Sequence, residues 1–361
     1  MERNASLDHI RIGLTALVVF HHTALVYGGS GSWYWREQPD ASNTVLVIFN
    51  CINQSFFMGF FFLLAGYFSA AALARKSTNS FLWDRVVRLG LPLLAYYFLL
   101  SPFTIALASY ADGHSFFSSL SYAWQNKLFG PGPLWFVAAL LSMSIGYLLL
   151  RRITPKWSIS IQSLPSYFAL LGVITGLGLV SFSIRIWLPV GEEVLWMQLG
   201  YFAPYIFLFA VGVLSHSSHL LERITLQQCK PWFITSFVAL LLLGWALTTR
   251  WELGGFNGGW NLNALFYALW DPLFSTGVML GMLWSFRRWA GRASALSRIV
   301  ARRAYAVFII HPPVVVFGSA LASHLSMGPL VKLIIVGSFG VLSCLALASL
   351  LLLVPGVKRV L

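Results

Sequence analysis

The stretch RIGLTALVVFHHT, residues 11–23, decides how the rest of the chain is read. It has the apolar run of a membrane helix, yet an arginine opens it and two adjacent histidines stand near its end. An ionisable side chain at membrane depth costs on the order of 3 kcal/mol, so it should face a protein interior or a wet cavity rather than lipid. On a helix, Arg11 and His22 are about 20° short of or past whole turns and so share one face, with an axial separation of about 16 Å. Asp8 and Thr15 fall on or near the same stripe, and His21 points about 100° away. Such a helix carries a polar line from one membrane edge past the midplane.

The composition supports the membrane reading. The 361 residues are 58% hydrophobic and only 10% charged, against roughly 25% charged in a soluble globular chain. Mean hydropathy is +0.75. Apolar stretches of about 18 residues or more number about ten: 9–28, 44–74, 88–110, 134–150, 166–188, 198–215, 232–250, 262–285, 304–323 and 330–354. The expected fold class is therefore all-α, a polytopic integral membrane protein of about ten transmembrane helices. With the amino terminus in the cytoplasm, only Arg36, Lys127, Arg185, Arg250 and Lys332 among the 24 lysines and arginines fall on the outer side. That is the positive-inside pattern, and it predicts both termini cytoplasmic in a multi-pass protein of the inner membrane.

The net charge of +13 then reports topology, and no nucleic-acid partner is expected. The basic segment 286–303, FRRWAGRASALSRIVARR, is expected to lie on anionic membrane lipid. An anionic ligand at the inner face is a second use of the same charge. No hydrophilic block is long enough for a separate soluble domain, so residues 1–361 are read as one transmembrane domain. The first ten residues are too polar for a cleavable signal peptide, so the first helix is expected to stay. Cys51, Cys229 and Cys344 lie far apart and offer neither a disulfide framework nor a zinc spacing. His216 and His219 have a spacing used by two-histidine metal sites but lack a third ligand nearby, so no metal is expected. Glu192 and Glu193 read as solvated outer-loop residues, and the glycines of 254–259 as turns. Trp33, Tyr34 and Trp35 in the outer segment 29–43 suit the headgroup belt, or the stacking of sugar rings.

Several further features carry polar chemistry. In WDRVVRLGLPLL, Arg85 and Arg88 are three residues apart, hence helical neighbours at the inner boundary. They are either topology anchors or a phosphate clamp, for which a guanidinium fork is well suited. Gly66, in FFFLLAGYFSA, allows another helix to approach closely. In AYAVFIIHPP, His311 lies inside the ninth apolar stretch, and Pro312 and Pro313 would kink or interrupt the helix and free carbonyl groups. His22 is either a satisfied core imidazole or a general base for an alcohol. Tyr305 and His311 are either packing groups or site support.

Arg11 and His22 with ten residues between them, FFFLLAGY, RVVRLGLPL, PLWF and AYAVFIIHPP together resemble, in order along the chain, the signature segments of the membrane acyltransferase-3 family. The chain looks similar to small stand-alone members of the type that succinylates periplasmic glucans. One departure is Pro133, where some relatives place a histidine before Leu-Trp-Phe. The resemblance implies an O-acyltransferase that moves an acetyl or succinyl group from cytoplasmic acyl-CoA to a hydroxyl of an extracytoplasmic carbohydrate. It implies His22 as general base, Arg11, Arg85 and Arg88 as the acyl-CoA-binding group, and Asp8, Tyr305 and His311 as site support. Acyl-CoA is a co-substrate, and no bound cofactor is expected. The alternative is a multi-span exporter or secondary carrier for a glycan or small anion, with the polar stripe as its path. Which acceptor, which acyl group and which oligomeric state are not legible in the residues.

Overall fold

The computed structural model describes residues 4–154, 159–249 and 253–361. Arg250, one of the expected outer cations, lies outside the described residues. Among the described residues the chain is helical throughout and contains no strand, only one isolated bridge between Val194 and Met197.

The helices are α1 (Ala5–Val26), α2 (Thr44–Leu73), α3 (Thr78–Ala111), α4 (Phe116–Gln125), α5 (Gly132–Ile153), α6 (Tyr167–Trp187), α7 (Phe202–Ser215), α8 (Leu226–Thr248), α9 (Leu262–Trp289), α10 (Ala295–Ser323) and α11 (Pro329–Leu351). Their starts follow local chemistry. Thr225 and Gln228 form a reciprocal capping box at α8, Ser294 and Ser297 do so at α10, and Asn261 accepts the Ala264 amide at α9, each satisfying amides that have no partner inside the helix.

Each of the ten expected apolar stretches lies on a helix. Among the described residues, 8 helices are long and apolar enough to cross a membrane. The other two stretches differ for separate reasons: α7 is apolar but has 14 residues, and α9 has 28 residues but carries Asp271 and Pro272. The second stretch is the long α2, and α3 contains two π-helical turns, Val86–Gly90 and Tyr96–Leu100.

Two compact units divide the chain. The first comprises residues 1–10, 54–81 and 142–293. Its helices approach through small residues. A Cβ on Gly66 would stand 2.1 Å from the Phe209 carbonyl oxygen, and one on Gly212 would stand 2.0 Å from that of Leu63, so α2 and α7 pack backbone to backbone. Its polar centre is a buried ion pair: Arg185 of α6 donates through Nη2 to Asp271 Oδ2 of α9 at 2.9 Å, and through Nε to the Gly200 carbonyl at 3.0 Å. The rings of Tyr201 and Tyr267 flank the guanidinium at 4.9 and 5.2 Å.

The second unit comprises residues 11–53, 82–141 and 294–361. Gly337 and Gly340 of α11 lie against Phe20 and Val19 of α1. Arg303 Nε donates to Ser349 Oγ at 2.6 Å, tying α10 to α11. Helix α10 is among the most enclosed spans, with 72% of its apolar window buried. It runs through Pro312 and Pro313 without the interruption that the sequence allowed.

Candidate functional site

The site lies within the second unit and begins with a missing hydrogen. A residue at position 312 would normally donate its amide to the Phe308 carbonyl one helical turn earlier, but proline has no N–H. His311 takes that carbonyl: its Nδ1 is 2.7 Å from Phe308 O. A carbonyl only accepts, so Nδ1 carries the hydrogen and, in the neutral ring, Nε2 presents a lone pair. That Nε2 stands 3.1 Å from His22 Nδ1. His22 Nδ1 is also 3.0 Å from the Val18 carbonyl. Both neighbours are acceptors, so the hydrogen of His22 belongs on Nδ1, an assignment made from the hydrogen-bond network. The bare nitrogen of His22 is then Nε2. His311 is fully buried and His22 half-buried, so the pair offers one accessible base backed by a sealed partner.

The adjacent histidine has another task. Asn50 of α2 donates through Nδ2 to the His21 carbonyl at 3.1 Å and to His21 Nδ1 at 3.0 Å. This buried cross-link joins α1 to α2, as polar side chains commonly join helices in membranes. The two histidines therefore diverge, as their angular offset required.

The segment 27–43, between α1 and α2, folds over the pair. Trp33 stacks on His22 with ring centroids 4.1 Å apart and an interplanar angle of 26°. Its neighbours are pinned. Tyr34 and Tyr96 hydroxyls meet at 2.9 Å, Trp35 Nε1 donates to Asp112 Oδ1 at 2.8 Å, and Glu37 pairs with Lys332. Burial raises the Tyr34 phenol above its ordinary pKa, with the Tyr96 hydrogen bond opposing. The phenol is protonated at neutral pH. Gly132 makes the arrangement possible: its φ is +47°, and a Cβ there would sit 2.3 Å from the Tyr34 hydroxyl. Pro133, which stands where some relatives place histidine, is buried in the short turn Gly132–Leu134.

At the other end of the stripe the predicted residues are partly gathered. Tyr305 donates its hydroxyl to the Arg88 carbonyl at 2.8 Å. The carbonyl is available because Pro92, four residues on, has no N–H to donate to it; Arg88 itself lies in the wide π-turn Val86–Gly90. That turn replaces the α-helical spacing assumed for Arg85 and Arg88. Arg85 is half-buried as the last residue before it, Arg88 is exposed, and Arg11 is half-buried on α1. Asp8, earlier on α1, is buried and falls in the first unit.

Trp33 and Asn50 were not singled out for the site by the sequence, since a loop tryptophan and a lone helical asparagine have many ordinary uses. Asp271 left a better signal, as one carboxylate inside an otherwise apolar run. His216 and His219 lie in the first unit beside Glu222, which accepts the Tyr67 hydroxyl at 2.6 Å.

An acyltransferase domain model matches residues 4–351, nearly the whole chain. The chain belongs to the acyltransferase-3 family. Curated relatives include glucans biosynthesis protein C of Salmonella typhi, 32% identical over 184 residues, which are 47% of this chain and 47% of that protein. The protein of the same name from Escherichia coli strain K12 is 32% identical over 112 residues, 31% of this chain and 28% of the relative. That from Shigella dysenteriae serotype 1 is 31% identical over a segment of the same size. The matched segments thus span less than half of each of these relatives. No solved structure gives a significant match. Membership of this family thus goes with 8 helices, among the described residues, that are long and apolar enough to cross a membrane.

Proposed function

We propose that this acyltransferase moves a short acyl group, acetyl or succinyl, from cytoplasmic acyl-CoA to a carbohydrate hydroxyl on the far side of the inner membrane. Both termini are then cytoplasmic, and His22 is the general base. The observation that carries the reading is the directed hydrogen-bond chain from the Phe308 carbonyl through His311 to His22, which leaves the hydrogen-free nitrogen of the half-buried His22 at Nε2. A neutral imidazole so held can take a proton from an alcohol as it attacks a thioester, and then return it to the leaving sulfur. Relatives named for glucan biosynthesis support a carbohydrate acceptor.

The donor's phosphates cannot enter lipid, so the nucleotide is assigned to the inner end of the stripe, where guanidiniums suit it: Arg11, Arg85 and Arg88. Tyr305 holds the Arg88 segment through its carbonyl, a positioning role. The pantetheine arm then runs along the polar face of α1, about 16 Å from Arg11 to His22.

The test uses inverted membrane vesicles with a glucan on both faces and radiolabelled acetyl-CoA or succinyl-CoA outside. Label should pass into base-labile ester on the glucan, and His22→Ala at equal protein level should lower it by about 10²–10⁴-fold. Transport of unmodified glucan without ester formation would establish the carrier reading instead.

A further inference from the structure

Trp33 touches the proposed base and also carries a donor with no partner among the described residues. Its ring lies against His22 at 4.1 Å and against His311 at 6.1 Å between centroids. Its Nε1–H is buried and has no hydrogen-bond partner among the described residues. Buried indole N–H groups nearly always find an acceptor, and one that lacks it calls for an explanation. The surroundings rule out an accident of a loose loop. Tyr34 is tied to Tyr96, Trp35 to Asp112, Glu37 to Lys332, and Arg36 Nη2 donates to the Gly29 carbonyl at 3.1 Å. The residues around Trp33 are held on every side while its indole donor is left unspent, on a ring stacked against the imidazole that would accept a hydroxyl proton.

We infer that Trp33 is a catalytic residue whose Nε1–H donates a hydrogen bond to the carbonyl oxygen of the acyl thioester as negative charge gathers on it. The inference rests on the acyl-transfer reading. In that reaction the acceptor oxygen bonds to the carbonyl carbon while His22 Nε2 takes its proton, and the carbonyl π electrons move onto oxygen. When those electrons return, the carbon–sulfur bond breaks. Sulfur leaves with the bonding pair and receives the proton from His22. The products are an ester and a thiol, and no other reactant is consumed. A fixed donor aimed where the oxyanion forms costs no reorganisation during the reaction, which is the condition for strong stabilisation. The apolar face of the same indole shields the imidazole, so one residue supplies both dryness and the donor.

The experiment replaces Trp33 with 3-benzothienylalanine, which keeps the bicyclic shape and the stack and puts sulfur in place of N–H. Trp33→Phe is the second variant, retaining a ring but no donor. Both are assayed in full-length protein with acetyl-CoA or succinyl-CoA and glucan. Loss of one oxyanion donor typically lowers kcat by about 10²–10³-fold. Both variants should show a fall of about 10²-fold, with KM for either substrate changed less than about threefold, since the bond forms only in the transition state. A benzothienyl variant with wild-type kcat overturns the inference and leaves the transfer reading standing, the indole then serving only to pack. A change in KM with kcat unaltered also overturns it. A wild-type protein that transfers no acyl group from either thioester removes the transfer reading and this role together.

Discussion

Removing the acceptor behind His22 tests the hydrogen-bond chain directly. In His311→Phe the ring volume stays but Nε2 disappears, so His22 Nδ1 loses its 3.1 Å partner while keeping the Val18 carbonyl at 3.0 Å. The tautomer therefore survives, and the loss is one shared hydrogen bond, worth about 1 kcal/mol net. That converts to a drop in kcat of about fivefold, far smaller than the loss expected for His22→Ala. In His311→Gln the side-chain oxygen can accept from His22, so turnover should lie closer to wild type than in His311→Phe. The assay is ester formation in inverted vesicles under saturating acyl-CoA, normalised to folded protein. A His311→Phe variant as dead as His22→Ala would refute the argument, because His311 would then be taking part in proton transfer itself. Equal rates in wild type and both variants would refute it in the other direction.

The other predictions concern the frame around that chain. Pro312→Ala restores an amide that competes with His311 for the Phe308 carbonyl; thermal midpoints in detergent should hold or rise, since proline is the poorest helix former, while kcat falls by about two- to fivefold. Asp271→Asn leaves the fully buried Arg185 charge uncompensated and should destabilise the protein by about 3–5 kcal/mol, seen as a lowered unfolding midpoint, whereas Arg185→Met with Asp271→Leu should recover most of the loss. Arg85→Ala and Arg88→Ala should mainly raise the apparent KM for acyl-CoA; reporter fusions that reveal altered topology instead would make them anchors only.

Much of the architecture was legible in the residues because the membrane imposes a length and a polarity on each element. A bilayer span must satisfy its own backbone, so long apolar runs become helices whatever surrounds them, and all ten apolar stretches do. The common face of Arg11 and His22 followed from helical geometry alone, as did the separate direction of His21. Helix α9 was recognised as an apolar stretch, but the burden of Asp271 on it was overlooked, because a carboxylate in such a run is stable only with a partner that sequence distance hides. That partner, Arg185, stands in the sequence among the expected outer-side cations, inside the stretch 166–188. Lys332 was counted the same way and is likewise held by a distant carboxylate, Glu37.

By itself, the sequence determined an all-helical membrane protein, an arginine-to-histidine stripe on its first helix, and two prolines that had to free carbonyls in a late helix. Tertiary structure alone decided what those features meet. Pro312 only vacates the Phe308 carbonyl. That His311 fills it, and so turns a lone pair toward His22, depends on how α10 packs beside α1. Trp33 reaches the same ring only because the segment between α1 and α2 is tied down at Tyr34, Trp35 and Glu37. Local geometry orients a side chain on its own helix, but a proton's position on an imidazole is set by acceptors arriving from elsewhere in the chain.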